Sequence, residues 1–181
     1  MDQADRASEI VKNLLEFSRA RHPRMEEAGL EEVVDKTFRL VKNELDLHHI
    51  RYIKEVKADF PPLYLDKSGL QQVLLNLFMN SIQAMKNGGE LKVVIRSAET
   101  PAEVRIDTSD TGPGIAPEHL NQVFDPFFTT KKVGVGTGLG LSVSYNIIKK
   151  NGGRMEVNSR LGQGACFSIF LPLAGHMIAE G

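Results

Sequence analysis

The chain has no tryptophan and a single cysteine, Cys166. One thiol excludes a disulfide framework and a thiolate zinc site. Its alternating strand position reads as that of a small core residue. No excess of either charge is present either. Twenty-two Lys and Arg against 23 Asp and Glu leave a net charge of −1, so no nucleic-acid partner or acidic membrane surface is expected. Apolar runs fall far short of a membrane span, and no signal-peptide pattern opens the sequence. A cytoplasmic setting is therefore expected for this segment, whether or not a full-length protein is membrane-anchored. Internal repeats and low-complexity tracts are missing as well. What is present is 41% hydrophobic and 25% charged residues in 181 positions, enough for the core of one ordinary domain plus an appended segment.

The stretch from Leu70 to Met85, LQQVLLNLFMNSIQAM, organises the rest. It has helical periodicity without Gly or Pro, and Asp66 stands upstream as an N-cap. Val73, Leu74, Leu77 and Ile82 form an apolar stripe, and Asn76 and Asn80 lie one turn apart beside it. Asn is a poor helix-interior residue, and a buried amide costs a few kcal/mol unless it is bonded. Something polar should face this pair. Two neutral oxygens stacked on a helix suit a hydrated magnesium ion; water-satisfied amides are the alternative.

Around this helix the periodicities predict further elements. A first helix covers residues 5–21, with Ile10, Leu14 and Phe17 at 4–3 spacing, to be laid against another chain's bundle or the main domain. His22-Pro23 closes it, and 23–29 reads as a hinge. A second helix runs from Leu30 to Leu47, with Val33, Val34, Phe38, Leu40, Val41 and Leu45 as its apolar set. Strands are expected at Ile50–Val56, Leu63–Leu65, Leu91–Ser97 and Glu103–Thr108, the last two forming a hairpin around Thr100-Pro101. A glycine-rich region follows over 110–137, with a short helical piece near Pro117–Val123. Then come a helix at Leu139–Lys150 and a hairpin of Arg154–Ser159 and Ala165–Leu171. Hairpin-linked strands do not fit regular βαβ winding. The predicted class is α+β, a two-layer α/β sandwich with a mixed sheet and helices on one face.

Two glycine motifs are candidates for chemistry, the alternatives being a turn with a self-capping Asp for the first and a flexible glycine linker for the second. Asp110-Thr-Gly112-Pro-Gly114 leaves a strand whose Val104, Ile106 and Thr108 put Asp110 in phase with the core face. An inward carboxylate needs a donor, and a purine amine is a suitable one; a hydrogen bond to a charged group contributes roughly 1.5–3 kcal/mol. Gly112 and Gly114 would let the backbone approach a ring closely. Gly134-Val-Gly136-Thr137-Gly138-Leu139-Gly140 leads into a helix, so its backbone N–H groups and the helix N-terminus suit phosphate. It is neither a Walker loop nor GxGxxG. Between the motifs, Phe124-Asp-Pro-Phe127-Phe128-Thr-Thr-Lys131-Lys132 offers three phenylalanines that need burial and two lysines able to reach phosphate as point charges.

Asn76-Leu-Phe-Met-Asn80, Asp110-Thr-Gly-Pro-Gly114-Ile115, Phe124-Asp-Pro-Phe127-Phe128-Thr-Thr-Lys131 and Gly136-Thr-Gly138-Leu-Gly140-Leu141, in this order, resemble the N box, first glycine box, F box and second glycine box of sensor histidine kinases. The similarity covers about residues 30–173, the expected ATP-binding catalytic domain of Bergerat type. Residues 1–22 are similar to part of a dimerisation and phosphotransfer helix, and 174–181 would be a tail. The resemblance implies ATP and Mg²⁺ as cofactors, with Asn80 the metal ligand and Asp110 the adenine-binding carboxylate. Gly136, Gly138 and Gly140 would cradle the triphosphate. Gln83, Gly112, Gly114, Ile115, Phe124, Lys131, Thr137 and Leu139 complete the implied nucleotide set, and 125–137 would be a lid. Asn76 stands where related ATPases of the gyrase and chaperone superfamily place a glutamate base. An amide cannot take a proton, so Asn76 would keep the γ-phosphoryl from water.

Two departures stand out. Ala165 replaces a threonine that contacts the base through water in many relatives. His22, His48, His49, His119 and His176 all lack the His-Glu context of a phosphoacceptor. The expected function is therefore donation of the ATP γ-phosphoryl to a histidine outside this chain, for relay to a response-regulator aspartate. The implied partners are a receiver domain and a phosphoacceptor bundle, in a full-length homodimer. A conformational ATPase, a serine-directed kinase and a non-catalytic nucleotide-binding regulator are the alternatives.

Overall fold

A computed structural model describes residues 24–99, 102–131 and 136–173. The helix predicted for 5–21, the hairpin turn at Thr100-Pro101, Lys132 and the 174–181 tail lie outside the described residues. In the described residues eleven elements build two layers: β1 (Met25–Ala28), α1 (Leu30–Leu47), β2 (Ile50–Val56), β3 (Leu63–Asp66), α2 (Lys67–Ala84), β4 (Gly89–Ser97), β5 (Glu103–Asp110), a 3₁₀ turn (Pro117–His119), α3 (Gly140–Lys150), β6 (Arg154–Ser159) and β7 (Ala165–Pro172).

Five strands form a mixed sheet in the order β2-β4-β5-β7-β6, in which only β2 and β4 are parallel. That pair is parallel because β3 and α2 carry the chain back across the layer between them. Among the described residues three helices cover one face. Leu91, Val93 and Ile95 of β4, Val104 and Ile106 of β5, and Ile169 of β7 are all fully buried there. Against them lie Val34 and Leu45 of α1, the predicted α2 stripe of Val73, Leu74, Leu77 and Ile82, and Ile148 of α3. The hydrophobic effect drives this two-layer closure, each buried aliphatic side chain contributing roughly 1.5–3 kcal/mol.

α2 starts one turn before the predicted Leu70, at Lys67. Asp66 caps it, as the sequence indicated: its Oδ1 accepts from the Gly69 N–H at 3.0 Å and the Ser68 hydroxyl at 2.8 Å. A Cβ at residue 69 would stand 2.6 Å from Asp66 Oδ2 and 2.9 Å from Ile147 Cγ2, so glycine lets the cap and α3 pack on the same turn.

Four expectations need correction. The hinge predicted over 23–29 is a strand across Met25–Ala28, paired antiparallel with β3 from Met25↔Asp66 to Ala28↔Leu63. Ala28, Leu63 and Leu65 are buried behind it, which fixes this segment to the domain. Leu40, assigned to the apolar set of α1, is 62% exposed. The helical piece predicted near Pro117–Val123 is one 3₁₀ turn, Pro117–His119. Cys166 is half-buried on the open face of the sheet, because Ala165 and Phe167 on either side face the helices.

Candidate functional site

A cavity of about 1110 Å³ opens between α2, the start of α3, the loop after β5 and the segments 128–131 and 136–141. Of the predicted site residues, Asn76, Asn80, Gln83, Asp110, Gly112, Gly114, Ile115, Lys131, Gly136, Thr137, Gly138, Leu139 and Gly140 line it. Phe124 does not. Its ring packs behind the wall, 5.2 Å from Tyr145 and 6.4 Å from Phe167 by centroid. Phe127 is 67% exposed, against the expectation that all three loop phenylalanines are buried. It has a left-handed backbone (φ 67°), and its N–H donates to the Gly138 carbonyl at 3.0 Å.

One end of the cavity is built on the sheet. Asp110 closes β5, in the phase that Val104, Ile106 and Thr108 predicted. Its Oδ1 accepts from the Gly112 N–H at 2.9 Å and the Ala165 N–H at 3.3 Å, and its Oδ2 from the Ser81 hydroxyl at 3.1 Å. The backbone of Ala165 thus touches this carboxylate although its side chain carries no hydroxyl. All three donors are neutral, so among the described residues no cation pairs with this carboxylate, which can accept from a donor that arrives with a ligand. Packing alone already demands a glycine at 114. It has φ +73°, and a Cβ there would lie 2.1 Å from the Arg160 carbonyl oxygen of the β6–β7 turn.

The other end is polar and made by helices and loops. Asn76, Asn80 and Gln83 occupy one face of α2 at successive turns. The Asn76 Nδ2 donates to the Gly140 carbonyl and the Ser144 hydroxyl, both at 3.2 Å, which ties α2 to the first turn of α3. Thr137 Oγ1 accepts from the Leu139 N–H at 3.3 Å just before that turn, and residues 137–141 line the cavity, so the positive end of the helix dipole borders it. Gly138 has φ +68°, and a Cβ there would lie 2.4 Å from the Phe127 carbonyl carbon.

The Lys131 ammonium donates to Gln83 Oε1 at 2.5 Å and to Asn80 Oδ1 at 3.2 Å. Burial, and then the Lys86 charge nearby, hold it below the usual lysine value. Among the described residues no group of three His, Cys, Asp or Glu converges. A protein-only metal cage is therefore not offered there. Asn80 presents an amide oxygen that already serves a cation, and this suits an ion that takes its remaining ligands from phosphate and water.

Sequence reasoning missed several lining residues: Met79, Ser81, Met85, Val123, Phe128 and Phe167. Ser81 left a signal, a hydroxyl within the buried Leu74–Leu77–Ile82 stripe. Phe167 left none, since its alternation marked it only as core. Of the histidines, His48, His49 and His119 are described and none lines the cavity.

A family model described as "Histidine kinase-, DNA gyrase B-, and HSP90-like ATPase" matches residues 65–175. The chain is 36% identical over 171 residues to the sensor histidine kinase ZraS of Escherichia coli K12, covering 94% of this chain and 36% of that protein. It is thus just over a third of the length of that curated relative. Among solved structures, full-length ShkA in complex with AMPPNP superposes with a TM-score of 0.83 at 26% identity, covering 94% of this chain and 36% of that one. The histidine kinase ThkA in complex with response regulator protein TrrA gives a TM-score of 0.79 at 28% identity, over 94% and 48%.

Proposed function

The chain belongs to the histidine kinase-, DNA gyrase B- and HSP90-like ATPase family, and from that premise we propose that it is the ATP-binding catalytic domain of a sensor histidine kinase. In this reading residues 30–173 hold the nucleotide and 1–22 lead in from a dimerisation and phosphotransfer bundle. One observation carries it: a single cavity has a neutrally bonded carboxylate at one end and amides, an ammonium and a helix N-terminus at the other. The Asp110 carboxylate accepts from the adenine amine, with Ile115 and Gly112 against the ring. The backbone from Gly136 to Gly140 and the Lys131 ammonium receive the phosphates. Asn80 would hold Mg²⁺, whose charge neutralises the triphosphate.

Asn76 is the residue that disfavours hydrolysis. Its amide braces α2 against α3 and cannot accept a proton from water, so the γ-phosphoryl is held for a histidine positioned from outside the cavity. Catalysis is then positioning and charge stabilisation, with the acceptor on a partner bundle and a receiver domain next in the relay. ThkA, seen in complex with the response regulator TrrA, supports such a partner.

The test mixes labelled ATP with this chain and a separate fragment carrying the acceptor bundle. Label on the fragment is expected, with little phosphate release. Phosphate release without transfer would make the chain an ATPase, and the absence of both transfer and release would make it a binding module.

A further inference from the structure

The contact between Lys131 and the two α2 amides has no role in the reading above, which sends that lysine to phosphate. The ammonium sits on Gln83 Oε1 at 2.5 Å and Asn80 Oδ1 at 3.2 Å. These are neutral oxygens one turn apart on α2, and among the described residues Lys131 makes no ion pair. A half-buried ammonium is normally matched to a carboxylate. Here it is matched to the kind of oxygen pair that a divalent cation takes, and one of the two oxygens belongs to the proposed metal ligand. Two cations cannot share those lone pairs at such distances, because charges a few ångströms apart in a half-buried site repel by several kcal/mol.

We propose that Lys131 is the internal counter-cation of the Asn80–Gln83 oxygen pair, competing with the divalent ion for it. Gln83 thereby becomes part of the metal locus, and Lys131 moves from amide to phosphate when the ion arrives. The inference rests on the nucleotide reading and adds a consequence to it. When the metal is withheld, Lys131 bridges amide and phosphate in its place. When the metal is present, the lysine is one of several cations around the triphosphate and matters less.

Calorimetric titration of ATP into the wild-type chain and into Lys131→Met, each with magnesium and with chelator, tests this. Met keeps the apolar stem and removes the charge. The variant is expected to lose about tenfold or more in metal-free affinity, the value of a hydrogen bond to a charged group, and less than about threefold with magnesium. Its magnesium dependence therefore grows. A lysine that only touched phosphate would weaken both titrations equally, and a merely structural one would leave their ratio unchanged; either result overturns the proposal. Lys131→Gln repeats the measurement should the Met variant melt abnormally. As an independent readout, ¹⁵N spectra should show the side-chain amide signals of both Asn80 and Gln83 shifting in Lys131→Met without any ligand, and unmoved signals count against the contact. A wild-type chain that binds no ATP in either buffer sinks the nucleotide reading itself, a result distinct from an unchanged ratio.

Discussion

The two ends of the cavity are built on different principles. At the sheet end, Asp110 is fixed by two backbone N–H groups and a buried hydroxyl, and its strand is hydrogen-bonded on both sides, to β4 and β7. At the helix end, Lys131 and Gly136–Gly140 belong to loop or a first helical turn, and the neighbouring Phe127 is exposed in a left-handed conformation. In the proposed reading a preorganised end would set which base is accepted, since its groups reorganise little on binding. An adaptable end can reshape around a charged, hydrated phosphate chain. Division of labour between the two follows from where each sits relative to the core.

Asp110→Ala should give the largest effect. Removing the carboxylate takes away the charged acceptor, and ATP affinity is expected to fall by about a hundredfold or more. The melt should stay cooperative, because the donors left unpaired line a cavity that water can enter. Wild-type affinity by calorimetry would refute the assignment and with it the idea that the sheet end reads the base.

A matched pair of glycine variants separates the ends more sharply. Gly114→Ala puts a Cβ against the Arg160 carbonyl from a left-handed backbone, in a turn tied back to the same loop by the Gly162 N–H on the Pro113 carbonyl at 2.7 Å. A loss of about 2–3 kcal/mol in stability is expected, several degrees in the melting temperature. Gly138→Ala meets the Phe127 backbone in a comparable clash, but the partner is an exposed loop residue that can shift. There the expected result is a smaller change in melting and about a tenfold weaker binding of ATP, since the N–H groups aimed at phosphate move with it. Equal melting losses in the two variants would erase the distinction.

The sequence was most legible where side-chain period and burial coincide. The Val73–Leu74–Leu77–Ile82 stripe, the Val104–Ile106–Thr108 alternation and the capping Asp66 specify α2, β5 and the start of the site without tertiary information. Long-range pairing was not legible. Met25–Ala28 is too short and polar to announce a strand, and only its partner β3 makes it one. Nor do phenylalanines in a loop say which of them packs: Phe124 turns into the wall toward Tyr145, while Phe127 is held outward by its bond to Gly138. Ser81 was hidden beside the more conspicuous Asn80, because a hydroxyl in an apolar stripe becomes meaningful only once Asp110 is known to face it.

Asn80→Ala probes the helix end alone. Its loss should fall on magnesium-dependent ATP binding, about tenfold, while binding in chelator changes by less than about threefold because Gln83 still holds Lys131. An unchanged magnesium dependence would remove Asn80 from the metal site.

The smallest effect is expected from a carboxylate that belongs to neither end. Asp107 lies three residues before Asp110 on β5 and so faces the open side of the sheet. It accepts from the Ser168 hydroxyl at 2.6 Å, Arg105 at 2.6 Å and Arg96 at 2.9 Å. Burial alone would raise its pKa, but the Ser168 hydroxyl and the two guanidiniums outweigh it and hold the carboxyl below the ordinary aspartate value. A lowered folded-state pKa contributes stability that is complete above the unfolded value, about 3.9, and fades as pH falls through the folded one. The wild-type chain should therefore melt higher than Asp107→Asn at neutral pH, with the gap closing below about pH 4. ATP affinity at neutral pH should be the same in both. Should Asp107→Asn weaken ATP binding instead, the open face would be coupled to the cavity through β5, and the sheet end could no longer be treated as a fixed wall.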